Sequence, residues 1–143
     1  MYYEDFGPDY HGETKGRTVT ETDIVLFATM TGALNSAFLN EQFAKSTQFG
    51  GRIAPGFLTA SIATGLIYQL PSSPFEGGFV ALLNATLAAQ KAVKIGDTLS
   101  CRVSVRKKMD KGTRGIVVLH TEVLNQSNEK VMEIDHVIMV NKR

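Results

Sequence analysis

The sequence predicts an α+β domain in which a curved antiparallel sheet wraps around one long helix. Two observations carry that prediction. The stretch APGFLTASIATGLIYQLP places no charged side chain between Phe57 and Leu70, the mark of a helix buried on nearly all sides. The second half of the chain then supplies a wrapper. FVALLNATLAAQKAV, TLSCRVSVRKKMD, RGIVVLHTEVLNQ and KVMEIDHVIMVNK are β-rich runs, separated by KIGDT, DKGTR and NQSNEK, which are turn chemistry. Connections that short join antiparallel strands. A long helix followed by four or five such strands gives a sheet curled onto the helix.

The elements follow in order. Residues 1–13 read as an irregular lead-in with Gly7, Pro8 and Gly12, and Arg17–Val19 as a short β-rich piece. Thr20 is placed to cap a helix whose first turn carries Glu21 and Asp23 at its positive end. Ile24, Phe27 and Ala28 fall at helical spacing and Gly32 supplies the stop. NEQFAKS makes one or two further turns before a loop through Gly50 and Gly51. Pro55-Gly56 opens the long helix, since a proline in the first turn gives up only an N–H that would be unpaired anyway; Pro71 ends it. Alternation is clear in Leu99, Cys101, Val103 and Val105, and again in Val131, Glu133, Asp135 and Val137.

The totals bound the function. The 143 residues suit one domain, 1–143, and 43% hydrophobic with 20% charged residues describes a folded chain with a substantial core. A net charge of +1 gives no electrostatic reason to expect nucleic acid, and Arg106-Lys107-Lys108 and Lys142-Arg143 read as solvated faces. The one cysteine, Cys101, allows no internal disulfide and has no nearby histidine to make a metal set. No metal or other cofactor is expected. The acidic start MYYEDFGPDYHGE lacks the features of a signal peptide, and no apolar run approaches ~18 residues. The expectation is a cytoplasmic protein that spans no membrane.

Three stretches in order then carry a resemblance over Phe6 to Val140. They are FATMTGALNSAFLNEQFAKSTQFGGRIAPGFLTASIATGL, VKIGDTL, and the small-residue texture of the helix GFLTASIATGL itself. Together they resemble the MaoC-like hot-dog-fold family of (R)-specific enoyl-CoA hydratases and acyl dehydratases. The resemblance implies a lyase acting on an acyl-CoA or acyl-carrier thioester in fatty acid metabolism, and a homodimer or an oligomer of dimers whose sheets join. In active members an aspartate and a histidine hold a water and add it across the enoyl double bond. A backbone N–H at the start of the buried helix stabilises the enolate charge.

Carried over residue by residue, the match is uneven. Thr31, Gly32 and Asn35 agree with the motif, and Ser36 stands for its proline. The aspartate position is Ala33 and the histidine position is Phe38. Pro55 stands where many members have another histidine, Gly56 matches the oxyanion glycine, and Thr64 stands where some have a serine. The resemblance thus implies no catalytic residue at the dyad positions, and substrate binding by Asn35, Gly56, Phe57 and Thr64, with a pocket lined by Phe38, Phe57 and Leu58.

Other titratable residues have plainer readings. Glu41 reads as a solvated helix position, Asp23 as a first-turn charge, and Glu76 as part of a loop. His120 and His136 read as strand histidines. An Asp135–His136 dyad is disfavoured because adjacent strand residues point to opposite faces, and His11 lies in the lead-in. Three functions stay open: a hydratase or dehydratase by descent, in which ordinary hydration is not expected; a non-catalytic acyl-thioester-binding chain or hetero-partner of an active subunit; and a thioesterase drawing on Thr59, Ser61 or Thr64.

Overall fold

The computed structural model describes residues 1–143. Its helices are α1 (Glu21–Thr31), α2 (Ser36–Leu39), α3 (Glu41–Ser46) and α4 (Gly56–Tyr68). Its strands are β1 (His11–Glu13), β2 (Arg17–Thr18), β3 (Phe79–Ala89), β4 (Thr98–Asp110), β5 (Arg114–Leu124) and β6 (Lys130–Asn141).

α1 begins where the sequence places it. The Thr20 hydroxyl accepts from the Asp23 N–H at 3.3 Å, and the Asp23 carboxylate accepts from the Thr20 N–H at 2.8 Å. This reciprocal cap satisfies two donors that the helix end leaves free. Asp23 also pairs with Arg17 at 2.6 Å, which ties β2 to α1. The helix ends at Gly32 with φ of 75°, a left-handed turn that glycine adopts without a Cβ clash.

The strands form one open antiparallel sheet in the order β1-β4-β5-β6-β3, with β2 also on β4. Six strands replace the expected four or five. The lead-in is not wholly irregular: His11–Glu13 is β1, with His11 opposite Ser104 and Glu13 opposite Arg102. Three residues are too few to show alternation, and tertiary pairing alone creates this strand. Gly12 fits there because a Cβ would meet Leu70 at 3.0 Å.

The inner face of the sheet packs on α4. Leu99, Val103, Leu119, Ile134 and Ile138 join Ala63, Leu66 and Ile67 in one buried cluster. Cys101 belongs to it, and burial pushes its thiol up to about 12, so it stays an uncharged core residue. β4 carries a bulge: Val105 faces Leu119 and the next pair is Lys107 with Val118, leaving Arg106 as the extra residue.

One expectation about α4 fails. Leu58, Thr59, Ile62, Ala63, Leu66 and Ile67 are buried, but Phe57 is 71% and Tyr68 49% exposed, and Ser61 lies between them on the same open stripe. Absence of charge fits a helix that is covered all round, yet it does not require the cover to come from its own chain. Pro55 also sits one place earlier than expected, as the residue before the helix, with extended ψ of 140°. No helix is long and apolar enough to cross a membrane.

Candidate active site

The start of α4 is an open helix end. Pro55 provides no side-chain cap, and the first helical bond is Thr59 N–H to the Pro55 carbonyl at 3.1 Å. The amides of Gly56, Phe57 and Leu58 precede that bond, so no helical carbonyl is available to them. In a 13-residue helix these aligned amides present a partial positive charge. Gly56, the first of the three, lines a cavity of about 310 Å³ with Ile53, Thr59, Lys91, Val93 and Met132, among others.

A second cavity, about 450 Å³, runs beside the exposed stripe of α4. Phe57, Ser61, Thr64 and Tyr68 form one wall; Leu82 of β3 and His136 of β6 lie across from them. Here a hydrogen-bond chain fixes a tautomer. The Thr64 hydroxyl donates to the Ala60 carbonyl at 2.9 Å, so its one proton is committed. It therefore accepts from His136 Nε2–H, 3.0 Å away, and leaves Nδ1 unprotonated. His136 is 3% exposed and its Nδ1 has no partner. Burial pushes its pKa below 6.5, against the opposing pull of the Asp135 charge.

The motif residues separate into two groups. Gly56 lines the first cavity, whereas Phe57 and Thr64 line the second. Asn35 lines neither. Its Oδ1 caps α2 by accepting from the Ala37 N–H at 2.8 Å. Ala33 and Phe38 are half-buried, Phe38 against the core cluster, and neither side chain lines either cavity. Leu58 points into the core at 6% exposure. The segment is nonetheless attached to the helix entrance, because the Ile53 N–H donates to the Ala37 carbonyl at 3.2 Å.

The remaining charged groups are engaged elsewhere. Glu41 accepts from Arg52 Nε at 2.9 Å, and Arg52 also pairs with Glu21 at 2.8 Å. Asp135 and His136 do face opposite ways. Asp135 instead meets His120 across the strands, Oδ1 to Nδ1 at 2.7 Å, and Arg106 from the β4 bulge pairs with the same carboxylate. That trio lies on the outer face of the sheet, away from α4. The pairing was hidden in the sequence because it depends on register, which sets His120 opposite Asp135. His136 facing Thr64 was hidden for the same reason.

A curved antiparallel sheet holding one buried helix, with that helix's free N-terminus opening on a cavity, defines a hot-dog domain. The chain belongs to the MaoC-like domain family, whose model matches residues 6–128. It is 34% identical over 104 residues to the (R)-specific enoyl-CoA hydratase of Rhodospirillum rubrum, covering 73% of this chain and 69% of that protein. It is 29% identical over 143 residues to the 3-hydroxybutyryl-CoA dehydratase of Methylorubrum extorquens, covering 100% of this chain and 86% of that protein. Among solved structures it resembles the monoamine oxidase regulatory protein of Archaeoglobus fulgidus, with a TM-score of 0.93 and 32% identity over 100% of this chain and 95% of that one.

Proposed function

We propose that the chain, as one MaoC-like domain over residues 1–143, binds an acyl-CoA or acyl-carrier thioester without hydrating it in the ordinary way. The observation that supports this most is the free amide end of α4 at Gly56, opening on a cavity. A thioester carbonyl is a hydrogen-bond acceptor suited to such an end. The acyl chain then runs along α4 past Phe57 and Thr64. Asn35 supports this site by holding α2 in place.

Hydration needs a base to take a proton from water and an acid to give one to carbon. Ala33 and Phe38 supply neither, and each such group is typically worth ~10²–10⁴-fold in rate. His120 and Glu41 are not placed to replace them, since neither lines the cavities beside α4 and Glu41 is paired with Arg52. A cytoplasmic setting accords with a lone buried cysteine. The open stripe of α4 and the unpaired edge of β3 fit a homodimer.

The test has two arms. Crotonyl-CoA hydration by the purified chain is expected at background, while butyryl-CoA gives a saturable heat of binding. The double variant Ala33→Asp with Phe38→His is expected to raise hydration above background. Robust turnover by the unmodified chain overturns the inert reading, and absence of any butyryl-CoA binding overturns the ligand reading.

A further inference from the structure

The three hydroxyls on the lower half of α4 are treated differently by the fold. Ser61 donates to the Phe57 carbonyl at 2.7 Å and Thr64 to the Ala60 carbonyl at 2.9 Å. Each is satisfied within its own helix, as hydroxyls in mid-helix commonly are. Thr59 is the exception. It is 2% exposed, it lines the cavity at the helix entrance, and no group of the chain pairs with its hydroxyl.

The Thr59 hydroxyl oxygen is not among the fully buried unpaired atoms, which are Thr121 Oγ1 and His136 Nδ1, so it keeps access to the cavity. Thr59 also shares its cavity with Gly56, where the helix amides are free. Two independent features thus point at the same space: an uncapped helix N-terminus and an unspent donor one turn further in.

Building on the acyl-thioester reading, we propose that Thr59 is a substrate-positioning donor that completes the carbonyl site at the start of α4. Its hydroxyl donates to the thioester carbonyl oxygen together with the helix amides. With Ala33 and Phe38 in the loop, this anchoring polarises the carbonyl without delivering a proton to carbon or activating water. The ligand class is therefore an acyl thioester held by its carbonyl, and free coenzyme A lacks the recognised group.

Valine replaces threonine with nearly the same shape and no hydroxyl, and serine restores the hydroxyl. The probes are butyryl-CoA labelled with ¹³C at the carbonyl, and free coenzyme A. The unmodified chain is expected to bind butyryl-CoA and to move its carbonyl stretch to lower frequency. Thr59→Val is expected to weaken that binding about tenfold, the loss of one hydrogen bond, and to return part of the frequency shift. Thr59→Ser is expected to recover both, and affinity for free coenzyme A is expected to stay the same in all three.

An unchanged affinity and carbonyl frequency in Thr59→Val overturns the proposal while leaving the thioester reading intact. An equal loss for free coenzyme A overturns it in favour of a phosphate contact. No binding of butyryl-CoA by the unmodified chain removes both readings together.

Discussion

The two edges of the sheet are built on opposite principles. On one side, β4 is covered by two short strands, β1 and β2, and pinned by the Arg17–Asp23 and Arg102–Glu13 pairs. Where that cover ends, β4 continues with the exposed Arg106 and Lys107. Charged side chains and short cover strands are how proteins keep an edge from pairing further. On the other side, β3 runs for 11 residues, Phe79–Ala89, without one charged side chain. It pairs only with β6, and Val80, Leu82 and Leu83 are exposed. An edge so long, apolar and unguarded is tolerable in a native protein when something covers it. Next to it lies the open stripe of α4, with Phe57 and Tyr68. The difference between the edges teaches that one side of this domain is finished within the chain and the other is left as a long, apolar, open edge.

The largest expected effect comes from imposing the guarded design on the open edge. Val80→Lys with Leu83→Lys places charges on β3 without touching the core. Sedimentation is expected to show the unmodified chain near twice its 15.6 kDa and the variant near 15.6 kDa. A variant that still pairs would move the interface elsewhere.

A smaller effect is expected at the closed edge, where Asp23 holds both the α1 cap and Arg17. Burial raises its pKa, but the bonds from Arg17 and from the Thr20 backbone and hydroxyl outweigh that and leave it lowered. A carboxylate lowered in the folded state contributes stability that is present above its unfolded value, near 3.8, and lost as the pH falls through the lower folded value. Asp23→Asn is therefore expected to cost about 1 kcal/mol at pH 7, the usual worth of such a cap. In urea titrations the gap should narrow as the pH falls below 3.8, and an unchanged gap would show that charge is not the cause.

The smallest expected effect is a difference between two pH profiles, and it lies beside the open edge. His136 is buried neutral with its pKa lowered, so the unfolded chain binds the proton first as the pH drops below 6.5. Stability is thus fully present above 6.5 and declines below it. His136→Phe is expected to lose less stability than the unmodified chain between pH 7 and 5. Parallel profiles would show that the imidazole is solvated, for instance through the neighbouring cavity.

Most of the fold was legible because its signals are local. Thr20 and Gly32 mark α1 by capping chemistry, and Pro55-Gly56 and Pro71 bracket α4 to within a few residues. The four long strands announce themselves by alternation and by turns. What escaped was decided by distant partners. β1 exists only because β4 is there to receive it, and Asp135 finds His120 only once β5 and β6 are in register. The exposed stripe of α4 escaped for a related reason, since hydropathy records what a surface avoids and leaves open who covers it. For the site, the open helix entrance at Gly56 was readable, but the two cavities that sort Gly56 from Thr64, neither of them lined by Ala33 or Phe38, were not.

The bulge at Arg106 has a consequence for how β4 is read as text. A strand is written in a frame of two, and from Leu99 to Val105 the odd positions spell its inner face. One extra residue shifts that frame: Lys108 now faces Val117, a core residue, and the Lys108 ammonium lies 4.1 Å from the Tyr3 ring centre and donates to the Tyr3 carbonyl at 2.7 Å. Read in the old frame, Lys108 is one more exposed charge. In the new frame it is the stitch that fastens the N-terminal segment over the end of the sheet.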